Sequence, residues 1–232
     1  MSFEMQLKLM KWFEAFMHFS ILIPMAVTWL RYRSFSAPVR LVSKYVYLSA
    51  ISVIIGKLAA YYFHNNLLVL VGFNIGKLLL FTAVYAQTLA LTRWHRLLRV
   101  SAILALCIAA GLLFYDWRIA ANAARLMQVT LLAGYALVYL DQALHPANTV
   151  FNTHNPIWLL SVANLLYAAC AVTAANIGLF TPAAMDIYSF VFISCASLIF
   201  NGLLTLALLR AQPDEAALPE APASASTTLA SA

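Results

Sequence analysis

Charged residues are scarce in this chain. Asp, Glu, Lys and Arg together make up 9% of its 232 residues, whereas about a quarter of a typical globular protein is charged. Hydrophobic residues account for 64%, and the mean hydropathy is +0.85. This composition excludes an ordinary water-soluble domain and predicts an integral membrane protein. The formal charge of +6 lies in short basic clusters between apolar runs, as membrane orientation requires, so we expect no nucleic-acid partner.

Cysteines are few, and known catalytic motifs are absent. The three cysteines are widely spaced inside apolar runs and match neither a disulfide framework nor a zinc site: Cys107, Cys170 and Cys195. The chain has no His-Glu-x-x-His, no Gly-x-Ser-x-Gly, no phosphate loop and no Asp-rich motif that would hold magnesium. We therefore expect a protein that is not an enzyme and carries no cofactor or metal.

What the chain has in abundance is long apolar runs. A helix needs roughly 20 apolar residues to cross about 30 Å of hydrocarbon, and seven runs fit this length: 13–30, 45–63, 67–91, 100–115, 121–140, 157–175 and 187–209. The sequence predicts an all-α, seven-helix membrane domain over residues 13–210. Residues 1–12 form a short terminal segment before it. Residues 211–232, rich in Ala, Pro, Ser and Thr, are expected to be a disordered tail.

Basic residues predict the orientation, because they collect on the cytoplasmic side of membrane proteins. Eight lie on one side of the seven-span arrangement: Arg31, Arg33, Arg40, Lys44, Arg93, Arg96, Arg99 and Arg210. Four lie on the other: Lys8, Lys11, Arg118 and Arg125. The N-terminus is therefore placed outside and the C-terminus in the cytoplasm, as expected for the inner membrane of a bacterium. The 141–156 loop has no Lys or Arg, so its side follows only from the alternation of its neighbours.

The tripeptide Ile-Gly-Lys occurs twice, at residues 55–57 and 75–77. Between the two lies a stretch ending in His64-Asn65-Asn66, which suits the turn of a helical hairpin at the membrane surface. Lys57 and Lys77 are therefore expected on neighbouring helices in the outer half of the membrane. An ionisable residue at membrane depth is a functional-site hypothesis by default.

Two lysines close together need a counter-charge, a neutral amine or a bound anion, yet no Asp or Glu lies deep in any span. One interpretation is structural: Lys57 reaches the outer interface and Lys77 pairs with Asn74 or with an acid at the outer ends of the spans, namely Glu14, Asp116 or Asp186. The other is a pocket for a small anionic or carbonyl-bearing ligand. Its predicted lining is Lys57, Lys77, Tyr61, Asn74 and Arg125.

Cofactor-based alternatives find little support. Retinal proteins use a lysine in the last span, and 187–209 contains none. His18 and His64 are a conceivable pair of haem ligands, but a histidine beside aromatic residues is more often part of the packing. His145 and His154 alone are too few ligands for a metal site.

A short internal repeat, called the internal echo below, supports transport as an alternative function. Phe73-Asn74 followed by Gly76 in the third span is matched by Phe200-Asn201-Gly202 in the seventh. Small sugar transporters built from two three-helix repeats and a linker helix have such a symmetry. The Pro-Gln dipeptide that marks that group is missing here, and the echo covers only a few residues.

A broader resemblance covers most of the membrane region. It is carried by residues 40–47, the Asn65-Asn66 turn, Asn155-Pro156-Ile157-Trp158, Asn164-Leu165-Leu166-Tyr167 and residues 193–208. In these stretches the chain resembles uncharacterised bacterial seven-helix proteins. Similar regions precede the kinase domain in some histidine kinases, where they are taken to be sensor regions. It departs from them in having lysines at positions 57 and 77, and in having no kinase domain after Arg210.

The resemblance implies a membrane-embedded sensor or accessory signalling module without its own output domain. Its partners would be the lipid bilayer and a signalling protein such as a histidine kinase. The basic stretches 31–44 and 93–99 would meet that partner. A structural subunit of a membrane complex is the remaining alternative, and the sequence does not define an oligomeric state.

Overall fold

The computed structural model describes residues 3–89, 92–144, 155–180 and 185–211. Helices dominate these ranges: α1 Phe3–Ser20, α2 Leu22–Arg31, α3 Ala37–Phe63, α4 Leu67–Thr88, α5 Thr92–Leu113, α6 Trp117–Leu144, α7 Pro156–Phe180 and α8 Met185–Arg210. Seven segments in the described part of the chain are long and apolar enough to cross a membrane. The predicted fold class is confirmed: this is an all-helical, multi-pass membrane protein. Its orientation stays a prediction.

Most helices extend beyond the apolar runs that predicted them. α3 begins at Ala37 rather than at residue 45, and α5 begins at Thr92 rather than at residue 100. The added turns carry basic residues, Arg40 and Lys44 in α3 and Arg93 in α5 among them. Hydropathy locates the part of a helix that suits hydrocarbon, whereas the backbone hydrogen bonds continue into the polar interface.

The first predicted span, residues 13–30, is interrupted. α1 ends at Ser20 and α2 starts at Leu22, with Ile21 between them. Pro24 has no N–H to donate to the Ser20 carbonyl, so the regular hydrogen-bond pattern cannot run through this point. The Ser20 hydroxyl accepts a hydrogen bond of 2.7 Å from Asn201 Nδ2 on α8. This hydrogen bond therefore connects the break between α1 and α2 to α8.

The predicted hairpin turn is present between α3 and α4. His64 follows α3 in the left-handed conformation, with φ of 53°, and the Asn65 side chain accepts a hydrogen bond of 2.9 Å from the Leu67 backbone N–H. A Cβ atom added at Gly76 would lie 2.9 Å from Leu48 Cδ2. Because only a hydrogen occupies that position, α4 packs closely against α3 just before Lys77.

The remaining helices complete a bundle around α4. α4 packs against α3, α5 and α6, and α8 packs against α1, α2 and α7. A hydrogen-bonded group ties α4 to α7: the Tyr85 hydroxyl lies 3.1 Å from Ser161 Oγ, and Asn164 Nδ2 donates to it over 3.3 Å. The predicted 141–156 loop begins as part of α6, which continues to Leu144. His145, His154 and the tail from residue 212 onward lie outside the described residues.

Candidate functional site

The bundle contains a cavity of about 600 Å³. Its walls come from α1, α3, α4, α6, α7 and α8. Asn66 lines one end, so the cavity lies in the half of the bundle that holds the α3–α4 turn. In the predicted orientation this is the outer half.

Lys77 is buried in the wall of this cavity, with 3% of its surface exposed. Four aromatic rings surround its ammonium group, and the distances from Nζ to their centroids are 4.5 Å for Phe200, 4.7 Å for Tyr167, 5.4 Å for Tyr45 and 5.9 Å for Phe81. The rings come from α8, α7, α3 and α4. Each contact of this kind stabilises a cation by about 0.5–2 kcal/mol.

No acidic side chain neutralises Lys77 within the described part of the structure. No hydrogen bond or ion pair there involves its Nζ. A cation buried without a counter-charge costs free energy that ring faces offset only in part. The ammonium thus contacts rings from four helices, lines a cavity and has no counter-charge among the described side chains.

Lys57, by contrast, has a partner. Its Nζ lies 3.6 Å from Glu14 Oε1 on α1, and its side chain is 62% exposed. The sequence offered Glu14 as a counter-charge for Lys77, whereas in the structure this carboxylate is the partner of the exposed Lys57. His18 Nδ1 lies 3.8 Å from the same oxygen, too far for a hydrogen bond. Together, Glu14, His18 and Lys57 line one part of the cavity.

The two other acids considered in the sequence take no part in neutralising these lysines as far as the structure describes them. Asp116 precedes α6, and its Oδ1 accepts hydrogen bonds from the backbone N–H groups of Arg118 at 2.6 Å and Ile119 at 3.2 Å. This is a helix N-cap, which satisfies donors at the start of α6. The side chain of Asp186 lies outside the described part of the chain.

Buried polar atoms without a hydrogen-bond partner also line the cavity. They are Asn74 Nδ2, Ser194 Oγ and His18 Nδ1. Asn74 is 4% and Ser194 1% exposed. More than nine in ten buried polar groups in proteins are hydrogen-bonded, and an unsatisfied one costs about 1–3 kcal/mol. Asn74 precedes Lys77 by three positions on α4, so the unpaired amide and the unpaired ammonium share one helix face.

Four of the five predicted site residues line this one cavity: Lys57, Lys77, Asn74 and Arg125. Tyr61 does not. It is 75% exposed and its ring packs at right angles against Tyr62, away from the cavity that the preceding residue, Ala60, lines. Sequence reasoning missed the aromatic rings around Lys77, since Tyr45, Tyr167 and Phe200 are far apart in the chain. Whether the four residues bind a ligand stays a prediction.

Comparison with family models, with curated proteins and with solved structures gave no match. The fold and the cavity together define a class: a multi-pass helical membrane protein with a cavity whose wall holds a lysine that has no counter-charge among the described side chains. The resemblance to sensor regions of histidine kinases stays a prediction from the sequence.

Proposed function

We propose that this protein is a membrane-embedded sensor or accessory signalling module of the bacterial inner membrane, which binds a small anionic or carbonyl-bearing ligand in the cavity. The observation that carries the proposal is Lys77, a buried ammonium with no counter-charge among the described side chains, on the wall of a cavity of about 600 Å³. In this proposal the protein binds the ligand and does not transform it.

The chemistry of the cavity supports this ligand class. An oxygen of the ligand would accept hydrogen bonds from the Lys77 ammonium and from Asn74 Nδ2, which the protein leaves unpartnered. Charge-assisted hydrogen bonds are about twice as strong as neutral ones. Ligand binding would therefore remove two unfavourable features of the empty site at once.

The connection between α1, α2 and α8 supports a signalling role. α1 and α8 pack against each other and both line the cavity, and Asn201 joins α8 to the break between α1 and α2. At the other end of α2, the Arg31 guanidinium donates hydrogen bonds to the carbonyl oxygens of Leu208, at 3.3 Å, of Leu209, and of Ala211, at 2.9 Å. A ligand that favours one packing of α1 against α8 would change the end of α8 through Arg31.

The partner in this proposal is a separate signalling protein such as a histidine kinase, which would contact the basic stretches 31–44 and 93–99. Purification of the tagged protein in mild detergent tests this part. A kinase recovered in stoichiometric amount supports the sensor. A multi-subunit complex without a kinase would favour a structural subunit instead.

Thermal unfolding of the detergent-purified protein tests the ligand class. We expect hexanoate and hexanamide to raise the unfolding midpoint, because both present a carbonyl oxygen on a short apolar chain. Hexylamine, with the same chain and a positive charge, should have no such effect. A ligand at a hundred times its Kd adds about 2.7 kcal/mol to the free energy of unfolding. Equal responses to the three compounds would refute the proposal.

One observation favours a transporter as the second candidate. Both Phe-Asn pairs of the internal echo line the same cavity, Phe73-Asn74 from α4 and Phe200-Asn201 from α8. Binding sites of transporters with internal repeats lie where the repeats meet. Ligand uptake by proteoliposomes that contain only this protein would support transport and overturn the sensor.

A further inference from the structure

Two of the three cations that line the cavity are unpaired. The charged residues of the lining are Glu14, Lys57, Lys77 and Arg125. Glu14 is the ion-pair partner of Lys57. Within the described residues neither Lys77 nor Arg125 makes an ion pair or a hydrogen bond. With all four groups ionised, the lining carries a formal excess of two positive charges.

Arg125 lines the same cavity as Lys77. It lies in the third turn of α6 and is half-buried. Tyr167 also lines the cavity, and its ring faces the Lys77 ammonium, 4.7 Å from Nζ. The two cations therefore reach one cavity from different helices, Arg125 from α6 and Lys77 from α4.

Arg125 differs from the Lys77–Asn74 pair in the way it can bind an anion. The guanidinium of Arg125 is a planar fork that binds a carboxylate through two parallel hydrogen bonds. The Lys77 ammonium and the Asn74 amide, by contrast, are two separate donors on one face of α4. Aromatic rings, including those of Tyr167 and Phe200, also line the cavity. Two groups of anion-binding donors on different helices, together with an apolar lining, fit a molecule with two anionic ends and an apolar middle.

We propose that the ligand of this cavity is a dicarboxylate, with one carboxylate bound by Lys77 and Asn74 and the other by Arg125. The assignment rests on the proposed ligand-binding function and specifies its substrate class. A dianion of this shape matches the two excess charges. A phosphate ion concentrates its charge at one point and would leave one cation unpaired.

A matched series of compounds tests this assignment on the full-length protein in detergent. Linear dicarboxylates from succinate to suberate are compared by isothermal titration with the monocarboxylate of the same carbon number. We expect the best dicarboxylate to bind at least about tenfold more tightly than its monocarboxylate counterpart, a difference of about 1.4 kcal/mol. Inorganic phosphate serves as a third probe and should bind more weakly than that dicarboxylate.

Variants separate the two ends of the ligand. Arg125→Gln should lower the affinity for the dicarboxylate to that of the monocarboxylate while monocarboxylate binding persists, which also shows that the variant is folded. Arg118→Gln removes an exposed arginine two turns earlier on α6 and should change neither affinity.

The possible outcomes separate the dicarboxylate assignment from the proposed binding of anions at Lys77. If monocarboxylates and dicarboxylates bind equally well and Arg125→Gln changes neither affinity, the dicarboxylate assignment is wrong and anion binding at Lys77 stands. The dicarboxylate assignment is also wrong if phosphate binds more tightly than every dicarboxylate. If no carboxylate of either kind binds, the assignment and the proposed function both fail.

Discussion

The Lys77 ammonium lies 4.5 Å from the centroid of the Phe200 ring, the shortest of its four ring contacts. The two residues are 123 positions apart in the chain (200 minus 77), and they join α4 to α8. Phe200 also packs edge-on against Tyr45, with ring centroids 6.0 Å apart. A cation on one helix is thus held by the face of a ring on another.

This contact predicts an energetic coupling between the two side chains. Phe200→Leu should destabilise the protein more in the wild-type background than in a Lys77→Met background, by about 0.5–2 kcal/mol, because only the former loses a cation–π interaction. Equilibrium unfolding in micelles of the four proteins of the cycle gives this difference. Equal costs of Phe200→Leu in both backgrounds would show that the ring only fills space.

The Glu14–Lys57 pair predicts opposite effects on anion binding from its two members. Both side chains are substantially exposed, so removal of either should change the free energy of unfolding by less than about 1 kcal/mol. Glu14→Gln removes a negative charge from the cavity and should increase hexanoate affinity. Lys57→Met leaves the Glu14 carboxylate without its partner and should decrease it. Changes in the same direction would contradict the charge distribution described for the cavity.

The contacts of Arg31 with the end of α8 predict a stability effect far from the cavity. Arg31→Ala should lower the free energy of unfolding by about 1–3 kcal/mol, because three carbonyl groups lose hydrogen bonds from a charged donor. Hydrogen exchange should become faster in the last turn of α8. Arg33→Ala is the matched control: Arg33 is exposed, and its removal should cost less than about 0.5 kcal/mol. Similar losses in both variants would argue against a specific fastening of α8 by Arg31.

The close approach of α3 and α4 predicts that Gly76 tolerates no larger side chain. A Cβ at this position would be 2.9 Å from Leu48 Cδ2, whereas nothing lies within 4 Å of a Cβ added at Gly72. Gly76→Val should destabilise the protein by about 1–3 kcal/mol through overpacking, as measured by the unfolding midpoint. Gly72→Val is expected to be nearly neutral. A neutral Gly76→Val would mean that Leu48 moves aside without cost.

Much of the fold follows from local sequence. Long apolar runs predicted the membrane spans, and His64-Asn65-Asn66 predicted the turn between α3 and α4, because both signals reside in neighbouring residues. The break at Ile21 was foreseeable in principle from Pro24. The extension of helices into the interface was not, since polar residues there have no hydropathy signal.

Part of the candidate site could likewise be predicted from local sequence, and part could not. Asn74 and Lys77 were placed together by helix periodicity on one element. The rings of Tyr45, Tyr167 and Phe200, and the carboxylate of Glu14, reach the site from four different helices, so only the tertiary packing brings them there. Tyr61 was also assigned to the site, but its side chain is 75% exposed and does not line the cavity, although Ala60 and Asn66 on either side of it do.

The most direct test of the account is the change in unfolding midpoint that hexanoate causes in wild-type and Lys77→Met proteins, with Lys44→Met, an exposed lysine on α3, as control. Methionine fills a similar volume without charge, so the empty Lys77→Met protein should be at least as stable as the wild type. We predict that hexanoate stabilises the wild type and Lys44→Met and leaves Lys77→Met unchanged. Equal stabilisation of all three proteins would contradict the central claim that the unpaired Lys77 ammonium is the anion-binding group.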